Sequence, residues 1–398
     1  MKKSLLVRAL CAALCLIVLP ACALGEQLTL SFIGDCSIGE AIQNRGKADT
    51  YTTVLDEKGM DWPFSLVREY LDQDDFTFAN LEVVFTERTK HTDKVFPLVG
   101  QPKYAQVLLN SGVDAVNTVN NHCFDYYLEG YQDTMQTLDE MNFKHFGSTY
   151  LDSKTRKQDV VMTAEVKGVK IGAIGFSIPQ DKDLPAMKQR IEQLRADGCD
   201  LVIVSLHWGK ETKAIPESWQ FKYARKVIDL GADVLFGHGP HVLQAVQFYN
   251  GGVILYSTGN FTFGTMSSKV DRDTGIFQVT YDLAQDGKPA LSMFKLIPCT
   301  TTGAGDYRPY ELTEQADDYA ADDGDDDRGV YGTLHGVTVS AAYGVRNDDI
   351  AAERNADEQV YYQTDDGTVC TDGRHGDGFP GTREVADDGD IRGVKKLP

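Results

Sequence analysis

The sequence predicts an α/β protein in which parallel strand–helix units are followed by β-hairpins. Up to about residue 240, short apolar runs alternate with amphipathic segments, as is typical of parallel βα units. Three β-rich segments follow, and two of them contain the Asn-Gly or Asp-Gly pairs that favour hairpin turns. Polar residues suited to chemistry stand at the ends of the predicted strands. We therefore expect one domain over residues 26–312, with a site at the carboxyl edge of its sheet.

The predicted elements follow one another in a regular order. The strands of the first part are QLTLSFIGD, FTFAN, VDAVNTV, VKIGAIGFS, CDLVIVSLHW and ADVLF. The helices between them are PFSLVREYLDQ, opened by Pro63, PKYAQVLLNSG, ended by Gly112, LEGYQDTMQTLDEM, DLPAMKQRIEQLRADG and PESWQFKYARKVIDLG. The hairpin segments are AVQFYNGGVILYSTG, GIFQVTYDLAQDG and KPALSMFKLIP.

Residues 1–25 have the layout of a secretory signal peptide. Three basic residues precede an apolar run from Ala9 to Pro20, and small residues follow it. The run is too short for a comfortable membrane span. Two processing routes remain open, because Ala23–Gly25 resembles a signal peptidase site and Leu19–Cys22 resembles the lipobox of a lipoprotein anchored through Cys22. We expect an extracytoplasmic protein, either secreted or associated with the cell envelope.

Residues 313–398 differ in composition from the preceding domain. They carry 21 acidic and 8 basic residues, are rich in Asp and Gly, and show no sustained hydrophobic period. Such a segment buries too little apolar surface to offset its chain entropy, so we expect it to be disordered. It is either an acidic spacer or an out-of-frame terminus. Neither interpretation places functional residues there, and a chain that ends at Pro309 should melt as the full chain does.

Charge and cysteine spacing argue against several classes of function. The net charge of −20 disfavours nucleic acid and anionic membrane surfaces as partners. The five cysteines that follow the signal segment are irregularly spaced and form no CxxC motif, so they indicate neither a disulfide framework nor a thiolate zinc site. Cys36 and Cys123 each adjoin a polar cluster, and either a disulfide between them or two free buried thiols remains open.

Five polar clusters follow predicted strands, and the sequence predicts that they converge at one edge of the sheet. In the last cluster, GHGPH, Gly237 and Gly239 allow unusual backbone conformations and Pro240 fixes φ, so the turn can aim two imidazoles at one point. Mixed carboxylate, amide and imidazole ligands suit two Zn, Mn, Fe or Mg ions, which would bind a phosphate or carboxylate and activate water. The clusters are Asp35; Asn80 and Glu82; Asn120, Asn121 and His122; His207 and Glu211; His238 and His241.

Each of these residues also has a plainer interpretation. Asp35 and Asn121 belong to residue types that commonly form turns and caps, since both hydrogen-bond nearby backbone readily. His238 and His241 could be solvated side chains of a surface loop. The convergence of five clusters, rather than any one of them, favours a metal site. Four histidines outside the clusters are interpreted as surface or packing residues: His91, His145, His335 and His375.

At these residues the chain resembles the CapA family of bacterial capsule synthesis proteins. The resemblance covers about residues 27–310 and rests on the ordered motifs GD, NLE, NNH, HWGKE, GHGPH and YSTGNF. That family is related to the calcineurin-like metallophosphoesterases, so the resemblance implies an αββα sandwich. It also implies a role in assembling poly-γ-glutamate or a related envelope polymer. The implied partners are the capsule polymer or an envelope phosphoester, and membrane proteins of capsule synthesis.

The relation to metallophosphoesterases also implies roles for individual residues. Asp35 and His241 would ligate a first metal ion, and Glu82 would bridge it to a second. Three residues would complete the second ion's ligands: Asn121, His207 and His238. His122 would contact the substrate and protonate the leaving group. Five further residues would support these groups or contact substrate: Asn80, Asn120, Asp125, Glu211 and Asn260.

One departure from the phosphoesterase pattern concerns the first motif, D-x-H. Here Asp35 is followed by Cys36 and Ser37, so the first ion would lack the imidazole that this motif supplies unless the Cys36 thiolate replaced it. Two functions therefore remain open. The protein is either a dimetal hydrolase that acts on a phosphoester or amide in the envelope, or a non-catalytic component that binds or exports polymer through its metal pocket.

Overall fold

The computed structural model describes residues 26–150, 157–265, 272–284, 288–303, 305–312, 345–346, 359–363 and 369–370. The expected signal peptide and most of the acidic tail lie outside these residues. Within the described part of the chain, no helix is both long enough and apolar enough to cross a membrane.

The described residues form 21 strands and six α-helices. The strands are β1 Gln27–Ser37, β2 Glu40–Ala41, β3 Phe76–Leu81, β4 Val84–Phe85, β5 Leu98–Gly100, β6 Ala115–Asn117, β7 Lys144–Tyr150, β8 Lys157–Val160, β9 Met162–Val166, β10 Val169–Ser177, β11 Leu201–His207, β12 Val234–His238, β13 Val246–Tyr249, β14 Gly252–Leu255, β15 Asn260–Phe263, β16 Asp273–Leu283, β17 Pro289–Thr301, β18 Pro309–Glu311, β19 Val345–Arg346, β20 Gln359–Gln363 and β21 Val369–Cys370. The helices are α1 Tyr51–Lys58, α2 Arg68–Leu71, α3 Gln106–Ser111, α4 Tyr127–Glu140, α5 Leu184–Ala196 and α6 Ser218–Asp229.

The strands pair in two halves that are joined through β7. In the first half β1, β3 and β6 are parallel, and the antiparallel pair β16–β17 continues the sheet beyond β1. In the second half β10, β11, β12 and β14 are parallel, with β13 antiparallel to β14. The strand β7 pairs with both β6 and β10. This arrangement confirms the prediction of parallel βα units followed by hairpins.

The apolar side chains form separate layers because alternate strand residues face opposite sides of each sheet. One layer lies between the two halves, where the Phe32 and Phe236 ring centroids are 5.4 Å apart. A second layer packs the outer face of the first half against α1, α3 and α4. A third packs the second half against α5 and α6. The order is therefore helices, sheet, sheet, helices, which confirms the expected αββα sandwich.

Four strands begin directly after an aspartate that bonds to the neighbouring parallel strand. In each case the carboxylate accepts a hydrogen bond from the backbone N–H of one residue on the neighbouring strand. The aspartate's own N–H donates to the carbonyl of that partner residue. The four pairs of these strand-start aspartates are Asp75 with Thr29, Asp114 with Thr77, Asp200 with Lys170 and Asp233 with Val202. They satisfy backbone groups at the amino edge of both halves of the sandwich.

The structure differs from the sequence prediction in several elements. The predicted helix after Pro63 is a 3-10 turn, Trp62–Phe64, followed by the single turn α2, because Val67 has a φ of −122° and interrupts the helix. The helix α1 was not predicted, since its sequence YTTVLDEK contains β-branched residues that disfavour helix. Burial of Tyr51 and Leu55 against the sheet outweighs that preference. The strands β7–β9 and the small sheet of β2, β4 and β5 were also not predicted.

The domain continues past the DYRP sequence to residue 312. The strand β18 pairs with β17, and the N–H of Leu312 donates to the carbonyl of Pro298. Within 313–398, β19 pairs with β17 and β20 pairs with β13. Disorder of the remaining tail concerns residues outside the described ranges and stays a prediction.

Candidate metal centre

The carboxyl ends of β1, β3, β11 and β12 bring together most of the predicted ligands between the two halves of the sandwich. Two groups of side chains have ligand atoms that all lie within 4.8 Å of one another. One group contains Asp35, His207 and His238, and the other contains Asp35, Glu82 and His241. Asp35 is therefore the carboxylate common to both groups, whereas the sequence resemblance gives the bridging position to Glu82.

The backbone of β1 is shaped to present Asp35. A side chain at Gly34 would place its Cβ 2.2 Å from the carbonyl oxygen of Gly259, so only glycine fits there. The N–H of Asp35 donates to that same carbonyl at 2.8 Å, and the register of β1 against β15 shifts directly after Asp35. Such irregularities re-aim side chains near functional sites. Asn80 Nδ2 then holds Asp35 Oδ1 at 2.8 Å.

The turn after β12 aims His238 and His241 into the centre. Gly239 has a φ of +112° and His241 a φ of +61°, so both lie in the left-handed region. Gly237 is required for a different reason from the one predicted. It has no positive φ, but a Cβ there would lie 2.2 Å from the carbonyl oxygen of Tyr256. The turn therefore needs glycine at position 239 for its positive φ and at position 237 for lack of space for a Cβ.

His241 lies between the two buried carboxylates. Its Nδ1 is 3.1 Å from Asp35 Oδ2 and 2.9 Å from Asn260 Oδ1, and its Nε2 is 3.8 Å from Glu82 Oε1. Although burial favours the neutral ring, the negative charges of Glu82 and Asp35 raise the pKa of His241 to about 10. Asn260, assigned a supporting role, is therefore in contact with a candidate ligand.

His207 and His238 face each other across the centre. Their Nδ1 atoms are 2.9 Å apart, and His238 Nδ1 lies 3.9 Å from Asp35 Oδ1. Burial and the neighbouring imidazoles hold the pKa of His207 well below its usual range, and burial lowers that of His238 to about 3. Both rings are therefore neutral and each has a lone pair to offer, which is the form that binds metal ions.

The positive charge near the buried carboxylates of Asp35 and Glu82 does not neutralise both of them. Burial, followed by the charge of Asp35, raises the pKa of Glu82 well above its usual range. Burial opposes ionisation of Asp35 too, but the contacts with His241 and His207 outweigh it and lower its pKa. Asp35 Oδ2 and Glu82 Oε1 are buried without a hydrogen bond from any described residue. In the metal-free protein the His241 ring is the nearby positive charge, and these carboxylate oxygens beside the neutral imidazoles of His207 and His238 fit a divalent cation.

His122 is held beside this centre through its other ring nitrogen. Its Nδ1 lies 2.6 Å from Asp125 Oδ2, and its backbone N–H donates to Asn120 Oδ1 at 3.0 Å. The Nε2 atom is 3.9 Å from Glu82 Oε1. Asp125 thus orients the ring, and Nε2 is directed towards the candidate ligands.

The remaining predicted residues occupy different positions around the centre. Asn120 Nδ2 donates to the carbonyl of Leu81 at 2.7 Å. Asn121 Oδ1 is buried and accepts no hydrogen bond from the described residues, as would suit a ligand, and its ligand role stays a prediction. Glu211 lies in the exposed turn that follows β11.

Sequence reasoning missed two polar residues that contact His238. Ser205 Oγ lies 2.7 Å from His238 Nε2, and Asn117 Nδ2 lies 3.5 Å from the same atom. The signal was Ser205 itself, two positions before His207 and hence on the same face of β11. Cys36 is buried, and burial and the charge of Asp35 raise its pKa; its Sγ lies 3.5 Å from the carbonyl of Gly34, and it belongs to neither ligand group. Cys36 and Cys123 are free.

Comparison with known proteins identifies the family. Residues 29–265 match the family model described as Bacterial capsule synthesis protein PGA_cap. The chain belongs to this family of bacterial capsule synthesis proteins. The matched residues run from β1 to just past β15, so they contain every member of the two ligand groups. The resemblance drawn from the ordered motifs is confirmed.

Individual relatives cover about two thirds of the chain. The PGA biosynthesis protein CapA of Bacillus subtilis (strain 168) is 31% identical over 277 residues, which are 66% of this chain and 69% of that protein. The capsule biosynthesis protein CapA of Bacillus anthracis is 27% identical over 295 residues, 68% of this chain and 67% of that protein. A crystal structure of a hypothetical protein from Thermus thermophilus aligns with a TM-score of 0.42 at 16% identity, over 68% and 99% of the two chains.

Proposed function

We propose that this capsule synthesis protein is an extracytoplasmic hydrolase that binds two divalent metal ions and acts during assembly of poly-γ-glutamate or a related envelope polymer. The observation that carries the proposal is the pair of ligand groups that share Asp35. The names of the two Bacillus relatives, which refer to PGA and capsule biosynthesis, support the pathway. The signal-like residues 1–25 support the location.

The chain's own residues divide the work at the centre. Asp35, Glu82 and His241 would hold one ion, and Asp35, His207 and His238 would hold the other. A divalent ion at such a site supplies Lewis acidity towards a phosphoryl or carbonyl oxygen and makes bound water more acidic. Burial of the ligands keeps water from screening the charges at the centre. Negatively charged substrate oxygens would therefore be attracted strongly to bound cations.

His122 is the residue best placed to move a proton. Its Nδ1–H donates to Asp125 Oδ2, which fixes the ring and leaves Nε2 directed to the centre. A proton held at Nε2 can pass to the leaving group when the substrate bond breaks. Because Asp125 is fully buried, its charge is available to stabilise the imidazolium form.

A second function has one specific observation in its favour. The group of Asp35, Glu82 and His241 contains a single imidazole, and Cys36 is a buried thiol whose Sγ is directed at the carbonyl of Gly34. A weakly held ion there would suit a centre that grips a polymer carboxylate without cleaving it. In this alternative the protein binds or exports polymer, and His122 has no catalytic task.

Metal analysis followed by a hydrolysis screen tests the proposal. The purified chain should retain close to two divalent ions after dialysis, and it should cleave bis(p-nitrophenyl) phosphate or poly-γ-glutamate in a reaction that a chelator stops. Asp35→Asn is the matched control, since it leaves the fold's apolar layers intact and removes the shared ligand charge. Metal binding without any cleavage would support the polymer-binding alternative. Absence of bound metal would contradict both functions.

A further inference from the structure

The geometry points to Ser205 as a positioning residue that sets the tautomer and ring orientation of His238. This inference rests on the proposed metal centre, but its central contact can be tested without metal. Ser205 Oγ lies 2.7 Å from His238 Nε2, and both residues are completely buried. Bulk solvent does not reach this ring nitrogen, so the Ser205 hydroxyl is the group that satisfies it.

The two nitrogens of His238 face different surroundings. Nδ1 faces the centre, 2.9 Å from His207 Nδ1 and 3.9 Å from Asp35 Oδ1. Nε2 faces away from it, towards Ser205 and Asn117. A neutral imidazole carries one proton, and a nitrogen that carries it cannot ligate a metal ion. His238 can therefore be a ligand through Nδ1 only if the proton resides on Nε2.

A proton on Nε2 needs an acceptor, and Ser205 supplies it. The amide of Asn117 is oriented as a donor, because its Nδ2 donates to Asn80 Oδ1 and to the carbonyl of Val119, both at 2.9 Å. Its nitrogen, rather than its oxygen, therefore lies towards the ring, and an amide nitrogen cannot accept a hydrogen bond. Of the two polar groups beside Nε2, Ser205 Oγ is the one that can accept. The Nε2–H to Ser205 bond leaves Nδ1 unprotonated on the side of the centre, where its lone pair accepts from His207 Nδ1 in the metal-free protein and can turn to a bound ion.

The sheet register explains why a serine reaches this atom. Ser205 and His207 lie two residues apart on the same face of β11, and His207 is paired with His238 on β12. On the other side of β11, Gly175 of β10 is paired with Ser205. A Cβ at Gly175 would lie 2.1 Å from Asn117 Oδ1, so glycine there makes room for the amide. His238 is thus supported from both halves of the sandwich.

The test measures Co²⁺ affinity and the ring tautomer in three variants. Co²⁺ binding, followed by its visible absorption, should weaken by roughly 10- to 100-fold in Ser205→Ala, the range for lost support of a metal-ligating histidine. Ser205→Thr restores a hydroxyl and should recover most of the affinity. Ser292 lies on β17, and its buried hydroxyl donates to the carbonyl of Thr280 on β16. Ser292→Ala removes this hydroxyl and should leave Co²⁺ affinity unchanged. Circular dichroism confirms folding of each variant.

Nitrogen-15 spectra of the histidine rings in metal-free protein supply the second readout. His238 should carry its proton on Nε2 in the wild type and should populate the Nδ1–H form in Ser205→Ala. An Nδ1–H tautomer in the wild type would overturn the inference, as would equal Co²⁺ affinity in wild type and Ser205→Ala. If the wild type binds no Co²⁺, the proposed metal centre is wrong, and the tautomer still decides the role of Ser205.

Discussion

Lys94 and Asp125 form an ion pair in which the carboxylate is completely buried and the ammonium group reaches solvent. Lys94 Nζ lies 2.8 Å from Asp125 Oδ1, with side-chain exposures of 41% and 0%. The other oxygen of Asp125 accepts hydrogen bonds from His122 and from the N–H of Leu98. Lys94 also donates to the carbonyl of Asn121. One surface lysine therefore compensates the buried charge that orients His122.

Removal of this lysine should destabilise the fold. Lys94→Met leaves the Asp125 carboxylate without its cation and should lower the free energy of unfolding by about 1–3 kcal/mol. Urea denaturation measures this change. Lys188→Met is the control, since its pair with Glu192 is exposed and should contribute less than about 0.5 kcal/mol. Adding Asp125→Asn to Lys94→Met should recover part of the loss, and additive effects would show that the two residues are not coupled.

Metal stoichiometry distinguishes the two candidate bridging carboxylates. Asp35→Asn should remove both ions because Asp35 belongs to both groups, whereas Glu82→Gln should retain one. Elemental analysis after dialysis gives the ratio of ions to protein. The reverse outcome, with Glu82→Gln empty and Asp35→Asn half-loaded, would favour the assignment implied by the phosphoesterase resemblance.

Substitution of His122 separates binding from chemistry. His122→Ala should keep its metal content, because the ring is directed at the centre from outside both ligand groups. If the protein is a hydrolase, the rate should fall roughly 10²- to 10⁴-fold, the range for a lost general acid. His238→Ala and Asn121→Ala should instead lose metal. A His122→Ala protein without metal would disprove its assignment as a proton donor.

Asp74 should make stability depend on pH. Burial, with the nearby charges of Asp114 and Asp75, raises its pKa to about 7 even though Thr77 donates to it at 2.6 Å. Its folded pKa thus exceeds the unfolded value, so the stabilisation is present at low pH and is lost as the pH rises towards 7. Asp74→Asn should raise the Tm by roughly 3 °C or more at pH 8 and by less at pH 4.5.

The thermal melt of Asp74→Asn needs one comparison. Asp61→Asn makes the same chemical change at an exposed position and should shift the Tm little at either pH. An equal gain for Asp74→Asn at pH 4.5 and pH 8 would mean that the carboxyl group does not titrate in this range.

Truncation locates the end of the domain. A chain that ends at residue 312 keeps β18 and should melt within about 2 °C of the full chain. A chain that ends at Pro309, which the sequence alone predicts to melt as the full chain does, loses most of β18, the Leu312 bond and the contact between Tyr70 and Glu311, and should melt several degrees lower. Differential scanning calorimetry of both chains measures this. A large drop for the longer chain would show that the pairings of β19 with β17 and of β20 with β13 contribute to stability.

The sequence predicted the elements whose local signals agree with their environment. Continuous apolar runs such as CDLVIVSLHW and ADVLF gave buried parallel strands, and GHGPH gave a shaped turn. The small sheet of β2, β4 and β5 was not predicted, because each strand has only two or three residues and pairs with residues distant in the sequence. The helix α1 was not predicted, because packing against the sheet stabilises it despite the low helix propensity of its β-branched residues.

The sequence predicted which residues gather at the candidate site, but it did not predict which of them share a ligand group or hydrogen-bond to one another. The order of strands brings Asp35, Glu82, His207, His238 and His241 to one edge, as the motif positions indicated. The sharing of Asp35 between groups depends on a register shift in β1 that has no local sequence signal. Ser205 and Asn117 look like ordinary strand residues, because the contact of Ser205 with His238 depends on the pairing of β11 with β12 and that of Asn117 arises only when the two sheets face each other.

The strand-start aspartates give the sandwich a polarity. At the amino edge, each one ties two adjacent parallel strands through two hydrogen bonds, one accepted by its carboxylate and one donated by its own N–H. Strand alignment is thereby secured at the pole opposite the histidines, without help from the loops that carry them. Those loops are free to take strained conformations such as the +61° φ of His241. The pole that carries the candidate ligands can therefore differ in loop conformation while the opposite pole keeps the strands aligned.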